Sequence, residues 1–297
     1  MNPILSLLPT VLAFALATHA PNARVDTHVW VEQSKQPTPA ADGRQKQCPD
    51  SDPDLTITAC TAVIESSEAK EEARVFALVR RGNAFAVKND YDRAIRDFDE
   101  ALRLNPEDAE ALYERGNVHR WMKDFYLAIR DYDQAIRINP TAEAYHGRGL
   151  AIYDQEDYDR AIRDFDEAIR LKIYPEALVA RGNAYLDKGD FSRAIQDYDQ
   201  ALQLKPDYAQ AFYDRCKATY GKGDLDQAIQ DCDQTLKLDP NQPYALLNRG
   251  NAYDKKKDYD RAIEDWNKAL LLKPDLSSAF HNLGLVYGKM SNYDRAI

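Results

Sequence analysis

One short pattern recurs along this chain at a nearly constant interval, and it restricts the fold more than any other feature. The same slot is filled by Gly82, Gly116, Gly149, Gly182, Gly250 and Gly284, and by Cys216 in one copy, at steps of 34, 33, 33, 34, 34 and 34 residues. A period of this length predicts a solenoid, in which each unit buries its apolar face only against its neighbours. Solenoids mostly bind other macromolecules, so the period also bears on function.

Within one unit, the apolar residues predict two helices joined by a short turn. Leu78 and Gly82 are four residues apart and share one face of a first helix, and Ala94 and Phe98 share one face of a second helix. Pro106 ends the second helix. Because Gly82 and Ala94 are small, the two backbones can approach closely, and Phe98 fills the space beside them.

These residues resemble the tetratricopeptide repeat (TPR), which has a small residue at position 8, alanine at 20, an aromatic at 24 and proline at 32. The alanine slot holds Ala94, Ala128, Ala161, Ala194, Ala228, Ala262 and Ala296, and the proline slot holds Pro106, Pro140, Pro206, Pro240 and Pro274. The resemblance covers residues 75–297. It implies an all-α, right-handed α-solenoid of about six full TPR repeats plus a truncated seventh. Residues 172–175 depart from the pattern, so we expect a shorter or bent turn after the third repeat.

The first 74 residues precede the repeats and divide into three parts. Residues 4–17 are almost wholly apolar, too few for a comfortable bilayer span, and small residues follow, so 1–20 are predicted to be a signal peptide; an uncleaved anchor or a buried helix is the alternative. Residues 21–50 include Pro21, Pro37 and Pro39 and have no apolar period, which indicates a flexible linker. Ser51 or Asp52 can cap a helix that begins at Pro53. Residues 51–74 are predicted to be an N-terminal capping helix whose apolar stripe includes Leu55 and Cys60.

Composition and motifs argue against several function classes. The net charge of −10 argues against nucleic acid as the main partner. The five histidines lack metal-ligand spacing, and we find no phosphate-binding loop and no nucleophile elbow. The Gly-Arg-Gly at 147–149 lacks the third glycine of a dinucleotide loop and falls within a repeat helix. We therefore predict no enzyme activity, no cofactor, no metal site and no small-molecule substrate.

Two charged residues recur in register with the repeats. An arginine precedes the glycine slot (Arg81, Arg115, Arg148, Arg181, Arg215 and Arg249), and an aspartate precedes the aromatic slot of the second helix (Asp97, Asp131, Asp164, Asp197, Asp231 and Asp265). This register predicts Arg–Asp pairs within or between repeats. A charged binding stripe is the alternative, but structural pairing is favoured because six successive repeats share the residues.

The TPR resemblance also implies which residues line the binding groove, namely positions 2, 5, 9, 12 and 13 of each first helix. The candidate partner-binding residues at these positions are Asn83, Tyr113, Asn117, Arg120, Trp121, His146, Tyr153, Asn183, Tyr213 and Asn251. An Asn side chain can bond both the N–H and the C=O of a bound peptide, and aromatics beside an arginine are typical of interface hot spots. The alternative for Trp121 and Tyr153 is that they pack on the next repeat.

The four cysteines suggest two disulfide bonds. Cys48 lies just before the capping helix and Cys60 within it. Cys216 and Cys232 replace the glycine and the aromatic of one repeat, two slots that face each other across the helix pair. Export would place the chain in an oxidising compartment where both bonds can form. Four reduced, buried thiols are the alternative.

The sequence therefore predicts a non-catalytic scaffold that binds a peptide or helix of a partner protein in a concave groove. The repeat sequences are similar to those of many exported bacterial TPR proteins, and this resemblance implies a periplasmic or extracellular location. A membrane-associated complex is one class of partner. The rival interpretation is a regulatory or anchoring module of a larger enzyme or cell-envelope complex, with a further domain beyond residue 297.

Overall fold

The computed structural model describes Cys48 and residues 52–290. The predicted signal peptide, the predicted linker apart from Cys48, and the second helix of the seventh repeat lie outside the described residues. Within the described ranges the chain is all α-helix, without strands. The helices are α1 Pro53–Glu65, α2 Glu71–Val87, α3 Tyr91–Leu104, α4 Ala109–Trp121, α5 Phe125–Ile138, α6 Ala142–Tyr153, α7 Tyr158–Leu171, α8 Pro175–Asp187, α9 Phe191–Leu204, α10 Ala209–Lys222, α11 Leu225–Leu238, α12 Pro243–Lys255, α13 Tyr259–Leu272 and α14 Ser277–Lys289.

These helices form the predicted stack of helix pairs. Six pairs, from α2–α3 to α12–α13, are complete repeats, which we number one to six, and α14 is the first helix of repeat seven. Each second helix packs on its own first helix and on the first helix of the next repeat. The fold predicted from the period, a TPR solenoid, is therefore confirmed.

The second helices begin at a recurring aspartate cap. Asp90, Asp157, Asp190, Asp224 and Asp258 each accept a hydrogen bond from the backbone N–H three residues later, at 3.1–3.3 Å. Such a cap satisfies one of the free N–H groups in the first helical turn and fixes where the helix starts. The cap is present in five of the six complete repeats, and two to four residues connect the two helices of each pair.

In five of the six complete repeats, the core is a glycine that faces an aromatic ring. A Cβ atom added to Gly82 would lie 2.7 Å from Cε1 of Phe98, and one added to Gly182 would lie 2.7 Å from Cε1 of Tyr198. Both rings are fully buried. The glycines are therefore required by the close approach of the two helices, as the sequence predicted.

The capping helix differs in detail from the prediction. Asp52 caps α1, with its Oδ1 accepting from the N–H groups of Asp54 and Leu55. However, α1 ends at Glu65 and α2 begins at Glu71, so the segment 51–74 is not one helix. Leu55 is 63% exposed, whereas Thr56 and Cys60 are buried. The prediction that Leu55 belongs to the buried stripe is wrong, because α1 turns the face of Thr56 and Cys60 toward α2.

The turn between repeats three and four is short, as the departure at 172–175 predicted. Only residues 172–174 connect α7 to α8, whereas four residues connect α3 to α4. In this turn Tyr174 lies against the ring of His146, with the ring centroids 5.7 Å apart.

The four cysteines lie in two bonded pairs in this structure. The Cα atoms of Cys48 and Cys60 are 4.9 Å apart, and those of Cys216 and Cys232 are 5.6 Å apart. All four side chains are buried. Within repeat five, the second pair occupies the space that glycine and an aromatic ring fill in the other complete repeats.

Candidate functional site

The concave face of the stack is formed by the first helices. Successive first helices, such as α4 and α6 or α6 and α8, contact one another directly, whereas successive second helices barely touch. The stack therefore curves toward its first helices. This is the face on which the sequence places all ten candidate binding residues.

A small cleft, open to solvent, lies between α4 and α6 on this face. Its walls are formed by Tyr113, Asn117, Arg120, Trp121, His146, Gly147 and Leu150. Five of these seven residues are among the predicted partner-binding residues. The structure therefore brings half of the predicted set together at one place, between repeats two and three.

The cleft has an ordered polar wall. The hydroxyl of Tyr132, a fully buried ring on α5, donates to Oδ1 of Asn117 at 2.7 Å. Nδ2 of Asn117 donates to Oε2 of Glu114 at 3.1 Å. Gly147 makes this arrangement possible, because a Cβ atom there would lie 2.8 Å from Cε1 of Tyr132.

Arg120 supplies the positive charge of the cleft. Its Nη1 donates to Oδ2 of Asp154 at 3.5 Å, and its Nε is a buried donor without an acceptor. The guanidinium also interacts with the buried Tyr132 hydroxyl, so two neighbours position it at the cleft. Burial raises the pKa of Asp154, and Arg120 opposes that effect.

His146 forms the floor of the cleft. Its side chain is 4% exposed and packs against the rings of Phe165 and Tyr174 at centroid distances of 5.6 and 5.7 Å. Burial, with a smaller effect of Arg120, lowers the pKa of His146 to about 3. The imidazole is therefore neutral at physiological pH, and it contributes shape and polarity to the cleft but no charge.

Side chains on the concave face also join neighbouring repeats. Arg120 contacts Asp154 of the following repeat, the hydroxyl of Tyr153 donates to Asp187 of the following repeat, and Nζ of Lys255 lies 3.9 Å from the ring centroid of Tyr220 of the preceding one. In each contact, position 12 of one first helix meets position 13 of the next. These residues therefore stabilise the stacking while they face the groove.

This pattern bears on the two interpretations of Trp121 and Tyr153. Trp121 packs against Tyr91 of the preceding repeat, with ring centroids 6.1 Å apart, and also lines the cleft. Tyr153 contacts the next repeat through Asp187 and lies against Tyr158 of its own repeat. Both aromatics thus make contacts between repeats.

The remaining candidates are spread along the groove rather than gathered in the cleft. Oδ1 of Asn183 accepts from the Tyr198 hydroxyl at 2.7 Å, and Oδ1 of Asn251 accepts from Nε1 of Trp266 at 3.1 Å. These acceptors serve the fold, which leaves the amide N–H groups better placed than the carbonyl oxygens to meet a peptide. Asn83, half-buried in α2, has Phe98 as its counterpart, and that ring has no hydroxyl to donate.

Tyr213 lies further along the groove. The ammonium of Lys217 is 5.5 Å from the centroid of the Tyr213 ring. Burial raises the pKa of Tyr213 to about 12. It is therefore an uncharged aromatic beside a cation, far along the stack from the cleft.

The Arg–Asp register is a structural ladder. In repeat four, Nε and Nη2 of Arg181 donate to the two oxygens of Asp197 at 2.9 and 2.6 Å, and Nη1 donates to Asp166 of the preceding repeat at 2.6 Å. The bidentate pair recurs in all six complete repeats. The carboxylate of Asp197 is only 4% exposed. The prediction of structural pairing is therefore confirmed.

Two cleft residues were not predicted. Gly147 and Leu150 occupy positions 6 and 9 of repeat three, where the other complete repeats carry larger or polar residues. The signal in the sequence is Gly147, a glycine that no TPR slot requires. It marks the place where a first helix lets a neighbouring aromatic approach.

Searches for other kinds of site give negative results within the described residues. No group of three or more His, Cys, Asp or Glu side chains there could hold a metal ion. In the same part of the chain, no helix is both long and apolar enough to cross a bilayer.

Comparison with protein families identifies the repeats. The profile described as TPR repeat matches residues 82–120, 182–223 and 217–257, and two profiles described as tetratricopeptide repeat match 109–141 with 243–276, and 142–172. Together these matches cover well over half of the chain. No curated protein sequence matches the chain significantly.

Solved structures share the fold. YrrB, described as a TPR protein with an unusual peptide-binding site, is 24% identical with a TM-score of 0.54, and the match covers 62% of this chain and 96% of YrrB. PilW, a type IV pilus biogenesis factor, is 18% identical with a TM-score of 0.65, over 70% of this chain and 98% of PilW. PilF of Pseudomonas aeruginosa is 19% identical with a TM-score of 0.63, over 74% and 98%. At these identities the likeness shows the fold alone.

Proposed function

The chain belongs to the tetratricopeptide repeat family, and on that premise we propose that it is a non-catalytic scaffold that holds a peptide or helix of a partner protein along its concave face. TPR solenoids are protein–protein interaction scaffolds, and a long inner face suits an extended ligand. This function requires that the partner is held in position and requires no catalysis.

One observation carries the proposal. The cleft between α4 and α6 gathers Tyr113, Asn117, Arg120, Trp121 and His146, residues singled out by position in the repeat alone. A concave, partly aromatic recess with a few oriented polar groups is the usual form of a ligand site. Aromatic residues and arginine are also the commonest hot spots of protein interfaces.

The proposal is tested by partner capture. Tagged chain is incubated with soluble and detergent-solubilised fractions of the source cells, and bound proteins are identified by mass spectrometry. Tyr113→Ala should lower capture of the true partner at least tenfold with little change in melting temperature. Tyr126→Ala is the matched control, because Tyr126 is a 74% exposed tyrosine on a second helix. Equal loss in both variants, or in neither, contradicts the proposed site.

We also propose that the protein works outside the cytoplasm. The support is the apolar run at 4–17 and the two cysteine pairs, whose Cα atoms are within bonding distance. Intact-mass analysis of protein from the envelope fraction, alkylated without reductant, should show a mass lower by the first twenty or so residues and no alkylated cysteine. Full-length protein with four alkylated thiols contradicts export.

A further inference from the structure

The cleft continues into a stretch of the groove that carries acidic side chains. Asp154 lies at the rim of the cleft on Arg120, and the next residue toward the N-terminus, Tyr153, donates its hydroxyl to Asp187 of the following repeat. Asp187 is exposed. One step further, Asp214 is bonded to Lys217 at 3.3 Å. Asp154 and Asp187 thus face the groove of repeats three and four, whereas Asp214 is buried.

Asp187 has the weakest cationic compensation of these carboxylates. Asp154 lies near both Arg120 and Lys123, whereas Lys217 faces both Asp214 and Asp187. The hydroxyl that donates to Asp187 belongs to a neutral phenol. The exposed Asp187 carboxylate can therefore accept a cationic side chain of a ligand.

The cleft itself is uncharged apart from Arg120. Tyr113, Trp121 and Leu150 provide aromatic and aliphatic walls, and His146 on the floor is neutral. Burial raises the pKa of Tyr113, so its hydroxyl stays protonated. A recess of this character accepts an aromatic or aliphatic side chain, whereas a charged side chain would lose its hydration there.

We propose that the groove recognises a partner segment that places one aromatic or aliphatic side chain in the α4–α6 cleft and presents lysines or arginines beside it to Asp154 and Asp187. This rests on the proposed function and adds the chemistry of the ligand. Charge complementarity sets specificity and association rate, while the buried side chain provides most of the affinity.

Three blocked nonapeptides test the ligand class on the whole chain. The first has a central phenylalanine with two lysines on each side, the second has glutamates in place of the lysines, and the third has serine in place of the phenylalanine. Isothermal titration should show the first binding at least tenfold more tightly than either of the others, with an affinity that falls as salt increases. Equal or tighter binding of the glutamate peptide overturns the inference, as does failure of the lysine–phenylalanine peptide to bind at millimolar concentration.

Two variants locate the effect. Asp187→Asn keeps the acceptor for Tyr153 and removes one charge. It should therefore weaken the binding of the lysine–phenylalanine peptide two- to fivefold. Asp92→Asn, on the exposed start of α3, is the control and should change nothing. If both variants weaken binding equally, the effect is one of net charge and the assignment to Asp187 is wrong.

The failure of this inference and that of the proposed function are distinguishable. If Tyr113→Ala abolishes capture of the natural partner but the segment bound proves acidic, the groove binds proteins and the ligand class is wrong. If Tyr113→Ala leaves capture unchanged, the site itself is wrong.

Discussion

Replacement of Gly182 by alanine tests the close helix contact on which every repeat depends. The new Cβ atom would lie 2.7 Å from Cε1 of Tyr198, whereas carbon atoms in contact prefer about 3.5–4.0 Å. Tyr198 has no room to retreat, since its ring is fully buried and its hydroxyl bonds Asn183 at 2.7 Å. The ring and α9 must therefore shift together.

The magnitude follows from two opposing effects. Overpacking of a filled core costs about 1–3 kcal/mol. Replacing glycine by alanine inside a helix returns about 0.5–1 kcal/mol. We expect Gly182→Ala to lower the free energy of unfolding by about 1–2 kcal/mol.

Gly288→Ala is the matched control. Gly288 also lies in a first helix, α14, but a Cβ atom there meets nothing within 4 Å. Only the gain in helix propensity applies, so this variant should be as stable as the parent or slightly more stable.

Urea unfolding combined with amide hydrogen exchange is the appropriate assay, because a solenoid can open locally and one global transition can hide the effect. Exchange should accelerate in α8 and α9 for Gly182→Ala and in neither helix for Gly288→Ala. If Gly182→Ala is as stable as the parent, the space between α8 and α9 is larger than the structure shows and the argument from the glycine slot fails.

Three further predictions concern a buried ion pair, a buried histidine and a buried disulfide bond. Arg181→Ala should cost about 3–5 kcal/mol in urea unfolding, because it leaves the Asp197 carboxylate buried without its partner; a cost below about 1 kcal/mol would mean that the pair is solvated. His146 has a pKa of about 3 in the folded chain against 6.5 when unfolded, so the unfolded chain binds the extra proton between these values and stability falls as the pH drops below 6.5. The loss should reach about 3 kcal/mol at pH 4 and be absent in His146→Leu. Reduction of the Cys216–Cys232 bond, which spans 16 residues, should cost about 3 kcal/mol, measured by unfolding with and without reductant alongside a thiol count.

Much of the fold could be predicted because the residue pairs that form each contact recur in successive repeats. Gly82 against Phe98 and Arg81 against Asp97 are 16 residues apart, and both pairs recur with the period. Any error in one copy is corrected by the others. The repeat thus makes contacts within a helix pair readable, since spacing alone brings those residues together.

Contacts between repeats were less predictable, because they depend on how each helix pair is rotated against the next. Nothing in the spacing shows that Arg181 also reaches Asp166 of the preceding repeat. Leu55 was placed on the buried face of α1 for the same reason: the capping helix has no second copy. The cleft was not predicted in full because the role of Gly147 depends on its contact with Tyr132, a ring of the preceding repeat.

Some residues of the concave face have two roles. Arg120 and Tyr153 hold consecutive repeats together, and they also border the groove where a partner would lie. A lysine or arginine of the ligand that approaches Asp154 must compete with Arg120 for that carboxylate, and this competition loosens a contact between repeats two and three. Substitutions here should therefore alter affinity and local hydrogen exchange together. Substitutions in the Arg–Asp ladder, which lies apart from the cleft, should alter stability alone.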